Sequence, residues 1–599
     1  MSFTKSVIYP ANPNTVRGAS TKLSTSKDKI VYANGKTIVI RDLKDPAASY
    51  VYTGHVHNTT VARISPTGFY CASADASGTV KIWDTIGEDK ILKGEYKVLG
   101  GKINDLDWDG ESKRIIAVGE GRDKFGHAFM FDTGSSTGDI IGHSKTVNAV
   151  SIRHQRPFRA ATASDDVTVG FHHGVPFKYA STIRTHAKFV QDVRFSPSGD
   201  NFASVGSDAR ILIYSGTSGE TITEITNNSH TGSITACGWS PDSKTLMTVS
   251  ADSAVKLWDV EASKLVTTWS LGPGIDNQQV GGTWTEGDEI VSLSVSSDLN
   301  IFDKRVADKP SRIIRAPQKA VTAALPTGSG TFLAGTASGR MLLFSAAGEA
   351  SHVGGDGHLS LVTSLSSGKD GKAFSAGFDD RLREIDGPTF TPASLSTKSQ
   401  PKSIAVGGDG SVFLAEINGL EVVRDNQKTF ELSTSFTPSA IDIHGSLVAL
   451  GGEDAKVRLY DWDGKSLKET GLLEGNRGPI SAIRFSPDGT MIVSGDSSGK
   501  LFLFDAKGRK LITSRWAFHS ARVNSIQWTS DSRHCATGSL DTDVYVWSVE
   551  KPLKKIAIKN AGLGGVNVVF WLEEDGKKGK LVSSGADACV RVWDVVFHA

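Results

Sequence analysis

Cysteine is scarce in this chain. Its four cysteines, Cys71, Cys237, Cys535 and Cys589 in 599 residues, lie far apart inside β-like runs, with no CxxC pair and no partner at zinc-site spacing. That excludes a disulfide framework and a cysteine zinc site, and leads us to expect buried thiols in a reducing compartment. No run approaches the ~18 consecutive apolar residues of a membrane-spanning helix, and the opening MSFTKSVIYP lacks the apolar stretch of a signal peptide. A soluble cytoplasmic protein is expected. An excess of one charge is missing too: 66 Lys+Arg against 65 Asp+Glu leave a net charge of +1. There is no global field drawing the chain to nucleic acid or anionic lipid. Long helical Leu/Ala/Glu/Lys periodicities are also hard to find.

What the chain has is glycine and a repeat. Sixty-three glycines suit many strands joined by tight turns. A phrase returns about every forty residues: a Gly-His pair, a β-like run, a polar turn with Asp, and a strand ending in Trp-Asp or a stand-in. In five places the His precedes the Trp-like position by 28 residues: His55 and Trp83, His143 and Phe171, His186 and Tyr214, His230 and Trp258, His519 and Trp547. A period of this length marks a repeat architecture. The phrase resembles the WD-repeat family, whose unit is one four-stranded propeller blade. Aligned on the Trp-bearing strand, the equivalent positions are Arg41, Trp83, Phe131, Phe171, Tyr214, Trp258, Phe302, Phe344, Ile385, Arg424, Tyr460, Phe504, Trp547 and Trp593. These units exceed the roughly four to eight blades of a single ring. The expected fold is all-β: two seven-bladed β-propellers, residues 1–316 and 317–599, built from fourteen WD-type repeats.

The termini bear on ring closure. The last unit ends just after its third strand, whereas SFTKSVIYP at 2–10 is a strand-like surplus before the first full unit. The simplest assignment lets 2–10 complete the seventh blade and 311–317 the fourteenth; the exchange of these roles also fits. An Asp six residues before the Trp position recurs as Asp165, Asp208, Asp252, Asp379, Asp454, Asp541 and Asp587. In WD repeats this turn Asp holds the His, and a Ser or Thr and the Trp complete a structural tetrad. The matching sets are His230, Ser250, Asp252 and Trp258, and His519, Ser539, Asp541 and Trp547.

Chemistry outside this scaffold is sparse. His, Ser and Asp recur once per blade in a fixed order, which assigns them to architecture rather than to a hydrolase triad. No P-loop or HExxH is present. A non-enzymatic protein without metal or cofactor is expected. The departures from the repeat are two loops: GRDKFG, residues 121–126, in the longest unit, and 172–190, which brings Phe177, Lys178, Tyr179 and Phe189 to positions where ordinary loops are small and polar. Aromatic groups beside charge suit an interface.

The segments EGRDKFGHAFMFDTGSSTGDIIGHS (120–144), PFKYASTIRTHAKFVQDVRFSPSGD (176–200), DNQQVG (276–281), SRWAFHSARVNSIQW (514–528) and SSGADACVRVWDVV (583–596) resemble the actin-interacting protein one family, two-propeller partners of cofilin. The resemblance spans the chain. It implies a monomer of the actin cytoskeleton that binds cofilin-occupied filaments, promotes their severing and disassembly and holds barbed ends, with neither nucleic acid nor membrane insertion. Matched by motif, the residues implied to contact actin or cofilin are Asp123, Asp165, Lys178, Tyr179 and Phe189. The alternative is a generic double-propeller scaffold, such as a ubiquitin-linked adaptor or a ribosome-assembly subunit, which has no reason to carry these loops.

Overall fold

Every blade alternates buried and exposed strands in the same order. In the second, Tyr70–Asp75 (YCASAD) and Thr79–Asp84 (TVKIWD) are almost wholly buried, whereas Leu92–Lys97 (LKGEYK) alternates exposed and half-buried residues. Strands enclosed on both faces take continuous small and β-branched residues, and the outermost strand keeps the period of two of a sheet edge facing water. The computed structural model describes residues 2–597 apart from positions 46, 47, 88, 123, 307, 329, 369 and 370. Among these there is no α-helix, and the strands form fourteen four-stranded sheets. We number the blades 1 to 14 in chain order and letter their strands a to d from the axis outward.

The chain divides into two units, Asn12–Gln318 and Met1–Ala11 with Lys319–Ala599. In each, strand a of one blade packs on strand a of the next. The rings close where Ser24–Ser26 of blade 1 meets Gln279–Trp284 of blade 7, and where Val321–Gly328 of blade 8 meets Val566–Glu574 of blade 14. The fold is thus two seven-bladed WD propellers, each with its core between blades.

Closure follows the exchanged assignment, not the simplest one. Ser2–Tyr9 pairs with Val590–Val596 as strand d of blade 14, and Arg312–Ile314 pairs with Leu299–Phe302 as strand d of blade 7. The boundary at 316 therefore misplaces the first eleven residues, which lie with the C-terminal unit. The cause is apolar: Val7 and Tyr9 pack on a cluster containing Phe332, Phe344, Val590 and Val592, and the pairing covers an edge that would otherwise expose its backbone groups. The N-terminal ring is clasped where the chain enters and leaves it. Asn12 donates its backbone N–H to the Pro317 carbonyl at 3.0 Å and its Nδ2 to the Ile314 carbonyl at 3.0 Å, while Arg41 Nη1 donates to Asn12 Oδ1 at 2.6 Å.

Register also corrects three repeat phases. The Trp position is the cross-strand partner of the first core residue of strand b, as in Cys71↔Trp83 and Leu246↔Trp258. By that rule its equivalents are Phe129 (opposite Ile115), His172 (opposite Ala160) and Val423 (opposite Val412), instead of Phe131, Phe171 and Arg424.

Candidate partner-binding surface

The two ends of a blade are chemically different. At one end lie the b–c turns and the d–a connections that carry the recurring Asp and His; at the other lie the a–b and c–d turns. At the first end of blade 6, His230 Nδ1 contacts Asp252 Oδ2 at 2.9 Å and Nε2 contacts Thr248 Oγ1 at 2.8 Å. Trp258 Nε1 donates to the same Thr248 oxygen at 2.8 Å. One assignment satisfies every member: Trp donates to Thr, Thr donates to Nε2, and Nδ1–H donates to the carboxylate, with histidine neutral. Burial would raise the Asp252 carboxyl, but hydrogen bonds from His230, the Thr231 N–H and the Ser250 side chain hold it at about 2. Burial, partly countered by Asp252, lowers His230. Blade 13 repeats the set with His519, Asp541, Thr537 and Trp547.

The hydroxyl member is therefore Thr248 and Thr537, not Ser250 and Ser539. Both candidates in a blade share one face of strand b, two residues apart, but only the deeper reaches the His and Trp rings. Ser250 and Ser539 sit at the strand end, where their oxygens accept the N–H of Asp252 and Asp541, each at 3.2 Å. Similar sets occur in blade 2 (His55, Ser73, Asp75, Trp83), blade 5 (His186, Ser204, Asp208, Tyr214) and blade 9, where His358, Ser375 and Asp379 lie with Ile385 at the Trp position.

Around the axis of the N-terminal ring runs a buried ionic network. Asp105 of blade 3 meets Arg63 of blade 2 at 3.0 Å and Arg194 of blade 5 at 2.9 Å. Asp192 of blade 5 meets Arg194 at 2.9 Å and Lys22 of blade 1 at 3.0 Å. Burial would raise Asp105, but Arg194, Arg63 and Lys22 hold it at about 2.

The motif-matched residues fall into two places. Asp123 lies outside the described residues. Asp165 is not the tetrad acid of blade 4: His143 Nδ1 contacts Asp166 at 3.0 Å and Nε2 contacts Thr162 at 2.7 Å. The His-to-hydroxyl interval is 19 here against 18 in blades 2, 5, 6 and 13, so the frame slips by one. Asp165 Oδ1 instead accepts from Asn148 Nδ2 at 2.7 Å, and the same Nδ2 reaches the Val190 carbonyl at 3.0 Å. Asn148 thereby ties Asp165 to the segment bearing Phe189, whose ring is 46% exposed.

Lys178 and Tyr179 begin strand d of blade 4 at Lys178–Ile183. Lys178 pairs with His173 at the end of strand c, and Ile183 pairs with Val169 at its start. At ~3.3 Å per residue, Lys178 stands a full strand length from the end that carries Asp165 and Phe189. Tyr179 is 42% exposed, its hydroxyl 3.0 Å from Thr182 Oγ1 and its ring over Gly142. Phe177, expected in the loop surface, is buried with Val118, Ile140 and Phe158. Asn148 and the exposed Ile141 beside Gly142 were missed by motif reasoning, because neither departs from ordinary repeat composition.

Among the described residues no group of three or more His, Cys, Asp or Glu could hold a metal, and no helix is long and apolar enough to cross a membrane. All four cysteines are buried free thiols.

Residues 48–84, 177–215 and 221–259 match the model of the WD domain, G-beta repeat, and residues 428–555 match that of the Vps8 beta-propeller. Over 599 aligned residues the chain is 36% identical to actin-interacting protein 1 of Drosophila melanogaster, covering 98% of this chain and 97% of that protein. It belongs to the actin-interacting protein 1 family. WD repeat-containing protein 1 of Gallus gallus is also 36% identical, covering 99% of this chain and 98% of its own. The 66 kDa stress protein of Physarum polycephalum is 36% identical, covering 99% of this chain and 100% of its own.

Proposed function

We infer that this protein binds actin filaments that cofilin already occupies, promotes their severing and disassembly, and holds the barbed ends so produced, acting at the actin cytoskeleton. The observation that carries the reading is the full-length similarity to a protein named for its interaction with actin. It is supported by the exposed Phe189 held beside Asp165 by Asn148. No active site is needed for such work: a ligand that prefers the cofilin-bound or broken filament to the intact one shifts the equilibrium by its differential affinity alone. Phe189 supplies apolar contact and Asp165 orientation, the usual division at an interface. Lys178 and Tyr179 are proposed as a separate contact at the other end and outer edge of blade 4.

Cosedimentation with filamentous actin, with and without cofilin, tests this. Binding that depends on cofilin is expected, and Phe189→Ala should weaken it by at least ~2 kcal/mol with unchanged melting. Since Lys178 lies at the far end of the strand, Lys178→Ala combined with Phe189→Ala should add within ~0.5 kcal/mol. Absence of binding with cofilin present sinks the actin reading in favour of the generic scaffold.

A further inference from the structure

At the end of the N-terminal propeller opposite the His–Asp pairs, blades 3 and 4 enclose a recess of about 490 Å³ lined by Arg114, Arg156, Pro157, Phe158, Gly174 and Val175. The two guanidinium groups lie 5.8 and 5.2 Å from the Phe158 ring centre. Glu111 links them, at 3.5 Å from Arg114 and 2.5 Å from Arg156, and Asp109 takes Arg114 at 2.6 Å. Val175 stands 40% exposed on the rim.

Next to this recess the sheet does something unfavourable. Arg159 is the cross-strand partner of His173, and His173 is the partner of Lys178, so three cationic or protonatable side chains line up across strands b, c and d at roughly 5 Å steps. Like charges directly opposite one another destabilise a sheet. Nothing nearby relieves them: residues 151–164 and 167–191 contain no Asp or Glu. Among the described residues Arg159 bonds only the carbonyls of Phe158 and Thr217, and neither His173 nor Lys178 has a carboxylate partner. The crowding also shows in titration: Arg159 is lowered by burial and by Arg153, and His173 by burial and by Arg159. The neighbouring acids Asp132, Asp200 and Glu220 make no ion pair with this row.

We propose that the recess and the cationic row together form a docking site for a short acidic peptide segment of a protein partner, with one apolar side chain seated against Pro157, Phe158 and Val175 and its carboxylates on Arg156, Arg159 and Lys178. Separate cations, Arg159 and Lys178 two strand spacings apart with Arg156 at the recess, match carboxylates spread along an extended chain. A single phosphate would need donors converging on one point, whereas Arg159 and Lys178 stand on either side of His173, two strand spacings apart, and Arg156 gives Nε and Nη2 to Glu111, with its Nη1 outside that contact. The site rests on the partner-binding reading of Lys178 only for the source of the segment.

The test uses the full chain and a fluorescein-labelled, acetylated peptide of six glutamates around a central leucine, followed by anisotropy at low salt. Saturable binding that weakens with added salt is expected, falling at least ~10-fold in Arg156→Glu with Lys178→Glu. Arg156 and Lys178 are exposed, so melting should not change. Val175→Asp, which puts a competing carboxylate on the rim, should weaken binding in the same direction. No binding by the wild-type chain, or equal binding by both variants, overturns the site. So does tighter binding to phosphoinositide vesicles or to single-stranded RNA, which would make the ligand a phosphate. The peptide assay contains no filaments, so its failure removes this site alone, whereas lost cosedimentation with intact peptide binding removes only the actin reading.

Discussion

The two propellers share strand order and blade number but are held together by different chemistry. In the N-terminal ring four blades join the d–a histidine to the turn aspartate, at His55, His143, His186 and His230, and a buried ionic network joins blades 1, 2, 3 and 5 around the axis. In the C-terminal ring His358 and His519 alone keep that pair among the described residues. Two further turn acids there are met by an Arg four residues on, Asp454 by Arg458 at 2.7 Å and Asp587 by Arg591 at 2.5 Å. Near the axis, among the described residues, the pair of Asp442 with Arg484 at 3.0 Å stands where the N-terminal ring has its network. The same backbone architecture therefore tolerates several ways of satisfying the turn between strands b and c. What it requires is that the turn carboxylate finds a donor, not that the donor be a histidine.

The largest expected contrast comes from closure. Deleting residues 2–9 strips strand d from blade 14 and exposes the edge of Val590–Val596, while the N-terminal ring, Asn12–Gln318, supplies all of its own strands. Scanning calorimetry with limited proteolysis should show the C-terminal transition lost or greatly lowered and the N-terminal one retained. Loss of the N-terminal transition instead would contradict the observed pairing.

Next in size is the axial network. Asp105 is wholly buried and accepts from Arg63, Arg194 and the N–H groups of Leu106 and Val150. Asp105→Ala removes the nearest carboxylate of Arg63 and one of the two that meet Arg194, and should lower the stability of the N-terminal ring by ~3 kcal/mol. The C-terminal transition should not move. If it falls equally, the rings do not unfold as separate units.

Smaller again is the loss of one tetrad. Thr248→Val removes the partner of both His230 Nε2 and Trp258 Nε1 and should cost ~1–3 kcal/mol. Ser250→Ala removes a strand-end hydroxyl that accepts the Asp252 N–H and helps hold its carboxyl low, but leaves the His–Thr–Trp contacts in place, and should cost less, ~0.5–1 kcal/mol. Thr537→Val and Ser539→Ala should repeat the contrast in the C-terminal ring. Equal costs within each pair, read from urea midpoints, would restore the serine to the tetrad.

That serine shows where sequence reading reaches its limit. Fourteen units, all-β architecture and two rings could be read from a period that backbone geometry enforces. Period two in a strand, however, puts Ser250 and Thr248 on one face, and choosing between them requires knowing how deep the His ring enters. Asp165 and Asp166 are adjacent acids, and the extra residue before Thr162 decides between them. The 28-residue interval from His143 to Phe171 is a coincidence of that insertion, because the residue opposite Ala160 is His172. Closure was ambiguous because both candidate strands mix polar residues with β-branched ones, and only their packing partners tell them apart. Lys178 and Phe189 are 11 positions apart in sequence, yet a complete strand separates the ends of the sheet at which they lie.

The smallest expected effect is a pH dependence confined to one blade and opposite in sign to that of the tetrads. In blade 10 a glutamate pair occupies the b–c hairpin: Glu416 and Glu421 are buried, and Glu416 Oε1 and Glu421 Oε2 have no donor. The remaining oxygens are used, Glu416 Oε2 by the Ser399 N–H and hydroxyl and Glu421 Oε1 by Lys428 at 2.8 Å. Lys398, paired with Glu431, stands nearby. Burial first, and then Glu421, raise Glu416 from 4.5 to about 7, so the folded pair keeps a proton that the unfolded chain has already released. A raised folded value stabilises fully below 4.5 and is lost as pH climbs through about 7. The tetrads of both rings have the opposite sign: with Asp208, Asp252 and Asp541 lowered to about 2 and His55, His230 and His358 lowered by burial, each ring weakens as pH falls below the usual histidine range. Glu416→Gln supplies a permanent donor to Glu421. It should raise C-terminal stability at pH ~8 by ~1–2 kcal/mol, flatten its decline between pH ~5 and ~8, and leave the acid sensitivity of the N-terminal ring in place. A variant whose C-terminal transition falls at pH ~8, or keeps the wild-type slope, would show that the two carboxyls do not share a proton.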